Sequence, residues 1–353
     1  MKAPEREPKA PEREPTRRDT TSAPHPYDYA EQPLPLYGKF VVALAFPVVL
    51  VPLALLRLIL VIILALLLLL LCMLFSRWRF IFQPIVSGLG RLFLLCFGVW
   101  PGMLSYRKPK STEKAPVIAL APHLGGLEAF VMMYDGLPRA IAKEAYTRIP
   151  ILSSVFRASG GIAVPVAAAN DEVKRERRKK AKKVLPKTDG DEENQAEQRK
   201  EKPSHGVRQA IVAHKRSFNP SIPSLAIPVC ILPEGTTHNG VSLIKFFSGA
   251  FEGGGSVQPV LLSYPHTYFN AAFFGRSLGD HLMRLLLNPW QFVRVVYLDV
   301  YHPSDAEAAD PKLYAENVRR KMAEVGKLHC SEYDAKQLQA EYIGARSQAC
   351  SSH

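Results

Sequence analysis

From Phe40 to Phe75 the chain is uncharged except at Arg57, and the stretch from Leu58, LILVIILALLLLLLCMLF, runs 18 residues without a charge. A helix needs about 20 mostly apolar residues to cross a bilayer, so a membrane anchor is expected here. Pro47 and Pro52 interrupt the earlier part, which predicts a re-entrant limb ahead of the main apolar run. SRWRF follows. Arg77, Trp78 and Arg79 read as interfacial anchors, and the positive-inside rule puts this end in the cytosol. Residues 80–104 are patchier, with Arg91, Gly88 and Gly90, and read as interfacial or membrane-dipping.

From Ala115 the pattern becomes that of a soluble α/β domain. APVIALAP predicts a strand, then a helix, then PRAIAKEA as strand into loop. RIPILSSVFRASG predicts an amphipathic helix ending at glycine. GIAVPV, LAIPVCILPEG, SVQPVLLSY and FVRVVYLDVY predict further strands. Strands alternating with helices point to a mixed, largely parallel sheet covered by helices. Residues 1–37 lie outside this pattern. They carry the tandem repeat APEREPK–APEREPT and little that could be buried, so a disordered tail is expected. A cleaved secretory leader is not expected, because the apolar segment starts too late.

Charge narrows the choice of partner. The formal net charge is +13, which favours anionic partners such as a phosphorylated substrate or an acidic membrane surface. Residues 171–204 hold KRERRKKAKK and then a stretch of both signs, which predicts a solvated insertion. It reads as a solubilising loop or as an electrostatic foot on anionic lipid. No aromatic residues interleave with its charges, so nucleic acid is not an expected partner. The five cysteines are scattered without a CxxC pair, which excludes a disulfide framework or zinc site and suits reduced thiols.

Two loops at predicted strand ends carry candidate chemistry. APHLGGLEAF places His123 and Glu128 around Gly125-Gly126. A carboxylate can orient an imidazole through one nitrogen and leave the other to take a proton from a hydroxyl. Taken alone, the spacing fits an ordinary surface histidine better than a catalytic one. ILPEGTTHNG then puts Glu234, Gly235 and Thr236 at another strand mouth, where backbone N–H groups and hydroxyls suit an oxyanion or a polar headgroup. His238 and Asn239 lack a metal-ligand cluster around them and read as polar loop contacts, and no metal is expected.

Together these stretches resemble the phospholipid/glycerol acyltransferase, or PlsC-like, superfamily. HLGGLE resembles its first motif, RASGGIAVPV its second, LPEGTTHNG its third and SVQPV its fourth. EGTTHNGVSLIKFFSGAF and VYHPSDAEAADPKLYAENVRRKMAEVG are most similar to the lysophosphatidylcholine acyltransferase branch. The resemblance covers about residues 80–327. It implies a glycerolipid acyltransferase-like α/β fold behind an N-terminal membrane-anchoring helical region. The implied organisation is a tail at 1–37, transmembrane or membrane-dipping helices at 38–104, an acyltransferase domain at 105–327 with the insertion at 171–204, and a C-terminal tail at 328–353.

The resemblance implies an activity as well. His123 would be the general base and Glu128 its orienting partner, with acyl-CoA as co-substrate and a lysophospholipid, lysophosphatidylcholine first, as acceptor. Lysophosphatidate and glycerol-3-phosphate stand as alternatives. The acceptor hydroxyl attacks the thioester directly, with no acyl-enzyme and no cofactor. Glu234, Gly235 and Thr236 match the motif linked to acceptor binding, and Arg157, Gly160 and Gly161 match the second motif, also associated with acceptor or phosphate contacts. Lys143 falls where the family often has a basic residue. Membrane lipids are implied partners, and the implied location is the endoplasmic reticulum membrane with the catalytic domain facing the cytosol. The chain departs from the pattern at Glu128, usually aspartate, at Val166, usually arginine, and at Phe247, commonly basic.

Two rival readings remain. Gly275-Arg276-Ser277-Leu278-Gly279 fits the G-x-S-x-G nucleophile elbow of α/β-hydrolases, with Ser277 as the candidate nucleophile. A membrane-anchored lipid-binding scaffold without activity is the non-enzyme alternative, and Glu128 and Val166 motivate it.

Overall fold

The computed structural model describes residues 35–75, 79–109, 111–143, 158–164, 203–265, 271–273 and 277–341, with Pro26, Ser153 and Phe156. Arg77 and Trp78 of the predicted interfacial anchors, most of the predicted helix 148–160, Val166 and the insertion up to residue 202 lie outside the described residues.

One continuous apolar helix runs over Leu36–Leu74 and is long enough to cross a membrane. It comprises α1 (Leu36–Ala45), a π-helical turn (Phe46–Leu50) and α2 (Val51–Phe75). The expected break at Pro47 and Pro52 does not occur. The wider π turn falls where Pro47 withdraws a backbone donor, and the helix axis carries on through it. α3 (Arg79–Cys96) packs on α2 through Leu68, Cys72, Phe82, Val86 and Leu89, and Met133 and Leu137 of the following domain join that cluster. The buried positions of α2 include Ala54, Arg57, Leu68 and Cys72, while Leu55, Ile59, Ile63, Leu66, Leu70 and Met73 stay exposed. The helix therefore keeps one face on protein and turns an aliphatic face outward.

Arg57 explains itself in three dimensions. Its Nη1 donates to the carbonyls of Leu286 (2.9 Å) and Asn288 (2.6 Å), and Nη2 donates to that of Pro289 (3.1 Å). The guanidinium also lies over the Trp100 ring, 5.6 Å from its centroid. A charge inside an apolar helix is thus spent on the carbonyls at another helix's C-terminus.

The domain is built on a seven-stranded sheet. Its strands are β1 (Leu104–Arg107), β2 (Val117–Ala121), β3 (Arg139–Lys143), β4 (Ile162–Val164), β5 (Val229–Ile231), β7 (Val257–Ser263) and β8 (Val293–Tyr297), in the spatial order β1-β8-β7-β2-β5-β3-β4. Among the described strand pairs of this sheet, β7–β8 alone is antiparallel. The mixed, largely parallel sheet that the sequence predicts is present. β2 is buried along its whole length, as a central strand covered on both faces must be. One face carries α4 (Leu127–Tyr134), the α2–α3 pair and α6 (Leu278–Leu287), packed around Leu120, Leu127, Leu262 and Leu285. The other carries α5 (Pro203–Ser217), a 3₁₀ turn (Ser248–Phe251) and α8 (Pro311–Gly326), which follows the short α7 (Asp305–Ala309). Ile211, Phe251, Tyr314 and Met322 fill that side.

The expected C-terminal tail folds in part. β9 (His329–Cys330) pairs with β6 (Ser242–Leu243), and residues 335–341 are helical, with Leu338 fully buried. The buried Arg319 holds this corner by donating to the carbonyls of Leu243 (3.1 Å) and Ser331 (3.0 Å). Two residues of strand are too few to register as a hydrophobic pattern.

Candidate active site

β2 and β5 are parallel neighbours, so their C-terminal ends open on the same edge of the sheet. His123 follows β2, and Glu234 follows β5. Ligands of open α/β sheets bind outside such strand ends.

After β2 the chain turns through Gly125, whose φ is +153°. A Cβ at Gly125 would lie 2.9 Å from that of Phe273, so only glycine lets the loop pass there. The turn delivers the chain into α4, with Glu128 in its first turn. The carboxylate reaches back over the loop. Its Oε1 accepts from the N–H groups of Leu124 (2.5 Å) and Gly125 (2.6 Å) and lies 3.2 Å from Nδ1 of His123. A carboxylate oxygen that already takes two amide donors is an acceptor, so Nδ1 carries the ring proton and Nε2 carries the lone pair. No hydrogen bond engages Nε2 among the described residues. The His123 side chain is 23% exposed and that of Glu128 is 4% exposed, so the imidazole meets solvent while its orienting partner is dry. The extra methylene of glutamate, relative to the aspartate usual in the resembled motif, is used in this reach.

Tyr264, just past β7, borders the same carboxylate. Burial, and after it the Glu128 carboxylate, push its phenol well above the usual tyrosine range. Sequence reading missed it. The only signal was its place at the end of SVQPVLLSY, beside the strand that leads to His123. A cavity of about 210 Å³ opens here, lined by Leu124, Asn239, Gly240, Val241, Tyr264 and Pro265 among others.

The third-motif residues divide. Glu234 is wholly buried. Its Oε2 accepts from the His123 backbone N–H (2.6 Å) and from Nε2 of His238 (2.9 Å), and its Oε1 accepts from the Ile244 N–H (3.0 Å). The carboxylate is therefore occupied by protein groups. Gly235 is exposed and Thr236 half-buried. Gly235 has φ +69°, and a Cβ there would stand 2.4 Å from Cε2 of Phe247.

The remaining predicted residues are placed differently. Lys143 ends β3 at the same sheet edge as His123, and its side chain lies outside the described residues. Arg157 lies outside them altogether. Gly160 and Gly161 precede β4, and the parallel register Ile141↔Ile162 puts them where the strands begin. The structure does not bring these two glycines to the edge where His123 and Glu234 meet. Gly160, at φ +70°, serves to end a helical segment. Ser277 is a helix cap, since its Oγ accepts from the Asp280 N–H (3.1 Å) at the start of α6. No group of three or more metal-ligating side chains occurs among the described residues.

No family model matches the chain. Over 219 residues it is 30% identical to the lysophospholipid acyltransferase LPEAT1 of Arabidopsis thaliana, covering 62% of this chain and 46% of that relative. Over 252 residues it is 29% identical to the lysophosphatidylcholine acyltransferase of Drosophila melanogaster, covering 70% and 40%. Over some two thirds of its length the chain is thus similar to acyltransferases named for lysophospholipid acceptors. It spans less than half the length of these two relatives. Superposition on the crystal structure of the 1-acyl-sn-glycerophosphate (LPA) acyltransferase PlsC from Thermotoga maritima gives a TM-score of 0.41 at 14% identity, over 76% of this chain and 98% of that one. That is too loose to carry residue roles across.

Proposed function

We propose that this chain is a membrane-associated acyltransferase that moves a fatty acyl group from acyl-CoA to the free hydroxyl of a lysophospholipid or glycerophosphate. The observation that carries this reading is the His123–Glu128 pair, with Nδ1 held by a dry carboxylate and Nε2 open. Nε2 takes the acceptor's hydroxyl proton as its oxygen bonds to the thioester carbonyl carbon. Collapse of the tetrahedral adduct breaks the C–S bond, and the imidazolium returns its proton to the departing CoA thiolate. Glu128 stabilises the imidazolium in between.

The acceptor is best stated as the wider class, with lysophosphatidate and glycerol-3-phosphate included. The relatives' names speak of lysophospholipids in general as well as of lysophosphatidylcholine, and no feature among the described residues of the site selects a choline headgroup. The apolar helix holds the enzyme at the endoplasmic reticulum membrane, with the domain on the cytosolic side. There an amphiphilic acceptor enters from the leaflet and acyl-CoA from water, drawn by the net charge of +13.

The test is transfer of labelled oleoyl-CoA to a panel of lysophospholipids and glycerol-3-phosphate by protein in liposomes. Transfer that falls by more than about 10³-fold in His123→Ala is expected. Full activity in that variant would remove His123 from the mechanism. Bound acyl-CoA without turnover in the unaltered protein would favour the scaffold.

A further inference from the structure

Neither the His123–Glu128 pair nor the four-motif pattern assigns a task to His238. We propose that His238 is a positioning residue for His123. Its imidazole fixes the Glu234 carboxylate against the His123 backbone N–H, while its own backbone N–H holds the His123 carbonyl. The role of His123 itself rests on the function proposed above.

Past Ala121 the strand partners of β2 run out, because pairing to β7 stops at Ala121↔Leu261 and pairing to β5 stops at Ala119↔Ile231. The peptide groups of His123 need other partners, and the third-motif loop supplies both. The His123 N–H donates to Oε2 of Glu234 (2.6 Å), and the His123 carbonyl accepts from the His238 N–H (3.1 Å). One loop thus grips one residue at its donor and its acceptor.

The His238 ring completes the grip. Its Nδ1 accepts from the Gly240 N–H at 3.2 Å, so Nδ1 bears no proton and the hydrogen sits on Nε2. Nε2–H points at Oε2 of Glu234, the oxygen that also receives the His123 N–H. With Ile244 on Oε1, every donor to Glu234 comes from the protein, and His238 and Glu234 are both completely buried. His238 therefore acts through Glu234 and the backbone, and touches no reacting atom. Remote misplacement of about 1 Å can cost about 10²-fold in rate, which sets the expected scale.

The test compares His238→Gln with His238→Asn in the full chain. Glutamine carries an amide N–H about as far out as Nε2 and still reaches Glu234. Asparagine is one bond shorter, satisfies Gly240 and falls short of the carboxylate. Expected values are a kcat within about threefold of wild type for Gln and about 10²-fold lower for Asn, with KM for acyl-CoA within about threefold in both. Modification of His123 by diethyl pyrocarbonate, read by peptide mass, should quicken in Asn and not in Gln. Equal kcat in the two variants, an effect confined to KM, or an unchanged modification rate in Asn would overturn the proposal. His123→Ala run alongside separates the two readings. Turnover that survives it would refute the base while the modification rates still judge the clamp.

Discussion

Arg57 donates a 2.6 Å hydrogen bond to the carbonyl of Asn288, across 231 residues of sequence. Together with the carbonyls of Leu286 and Pro289, it makes one guanidinium the cap of α6. Replacing Arg57 by methionine leaves buried carbonyls without donors, at an expected cost of about 3 kcal/mol. Arg57→Lys should fall between, because an ammonium lacks the planar fork. Thermal unfolding in detergent checks this. Equal melting temperatures for wild type and Arg57→Met would mean that the helix only rests on the domain.

Glu128 does two jobs with one oxygen, bracing the Leu124 and Gly125 amides and aligning the His123 ring. Glu128→Asp should lose reach to the loop, and kcat should drop by about tenfold or more. Glu128→Gln keeps the reach but loses the charge that stabilises the imidazolium, and a drop on the order of 10²-fold is expected. Steady-state kinetics of both variants decide the matter. A fully active Glu128→Gln would show that no imidazolium forms beside it.

The Tyr264 phenol stands above its ordinary range because it is buried beside a carboxylate. It stays protonated up to at least about pH 10, so it adds no ionisation to the pH–rate profile below that. Tyr264→Phe should lower kcat by about tenfold, the worth of one buried hydrogen-bonding group. The alkaline limb should keep its shape. A limb that moves with the substitution would place the phenol among the titrating groups.

Gly235→Ala adds two separable penalties, a left-handed φ and a clash with the Phe247 ring. A destabilisation of about 2 kcal/mol is expected. Phe247 is 46% exposed, so trimming its ring should cost little. Gly235→Ala with Phe247→Ala should recover the steric part and leave about 1 kcal/mol from the backbone. A double variant no more stable than Gly235→Ala alone would mean that the ring already moves aside.

The strands of this fold were legible because β2, β7 and β8 are apolar runs between breakers, and that local signal survives folding. β1 and β9 escaped notice because four and two residues carry no periodicity. The continuity of the apolar helix through Pro47 depends on a π turn, a backbone adjustment that propensity cannot anticipate. At the site, the pairing of His123 with Glu128 was legible because both lie in one short loop. The engagement of Glu234 by protein donors was not, since it depends on Ile244 and on the His123 backbone, 111 residues away. Gly160 and Gly161 show the opposite case. They look like site residues in a motif, and only the register of β3 with β4 shows that they sit at the far end of the strands.

The docking of α2 also bears on how the protein can be handled. Trimming the chain to begin after residue 78 is the obvious route to a water-soluble fragment. Such a fragment would bare Phe82, Val86 and Leu89, which now face Leu68 and Cys72, and would strip the cap from α6. It should aggregate in plain buffer. The greasy helix belongs to the folded body as a keel belongs to a hull, and purification is expected to need amphiphile kept on its outward face throughout.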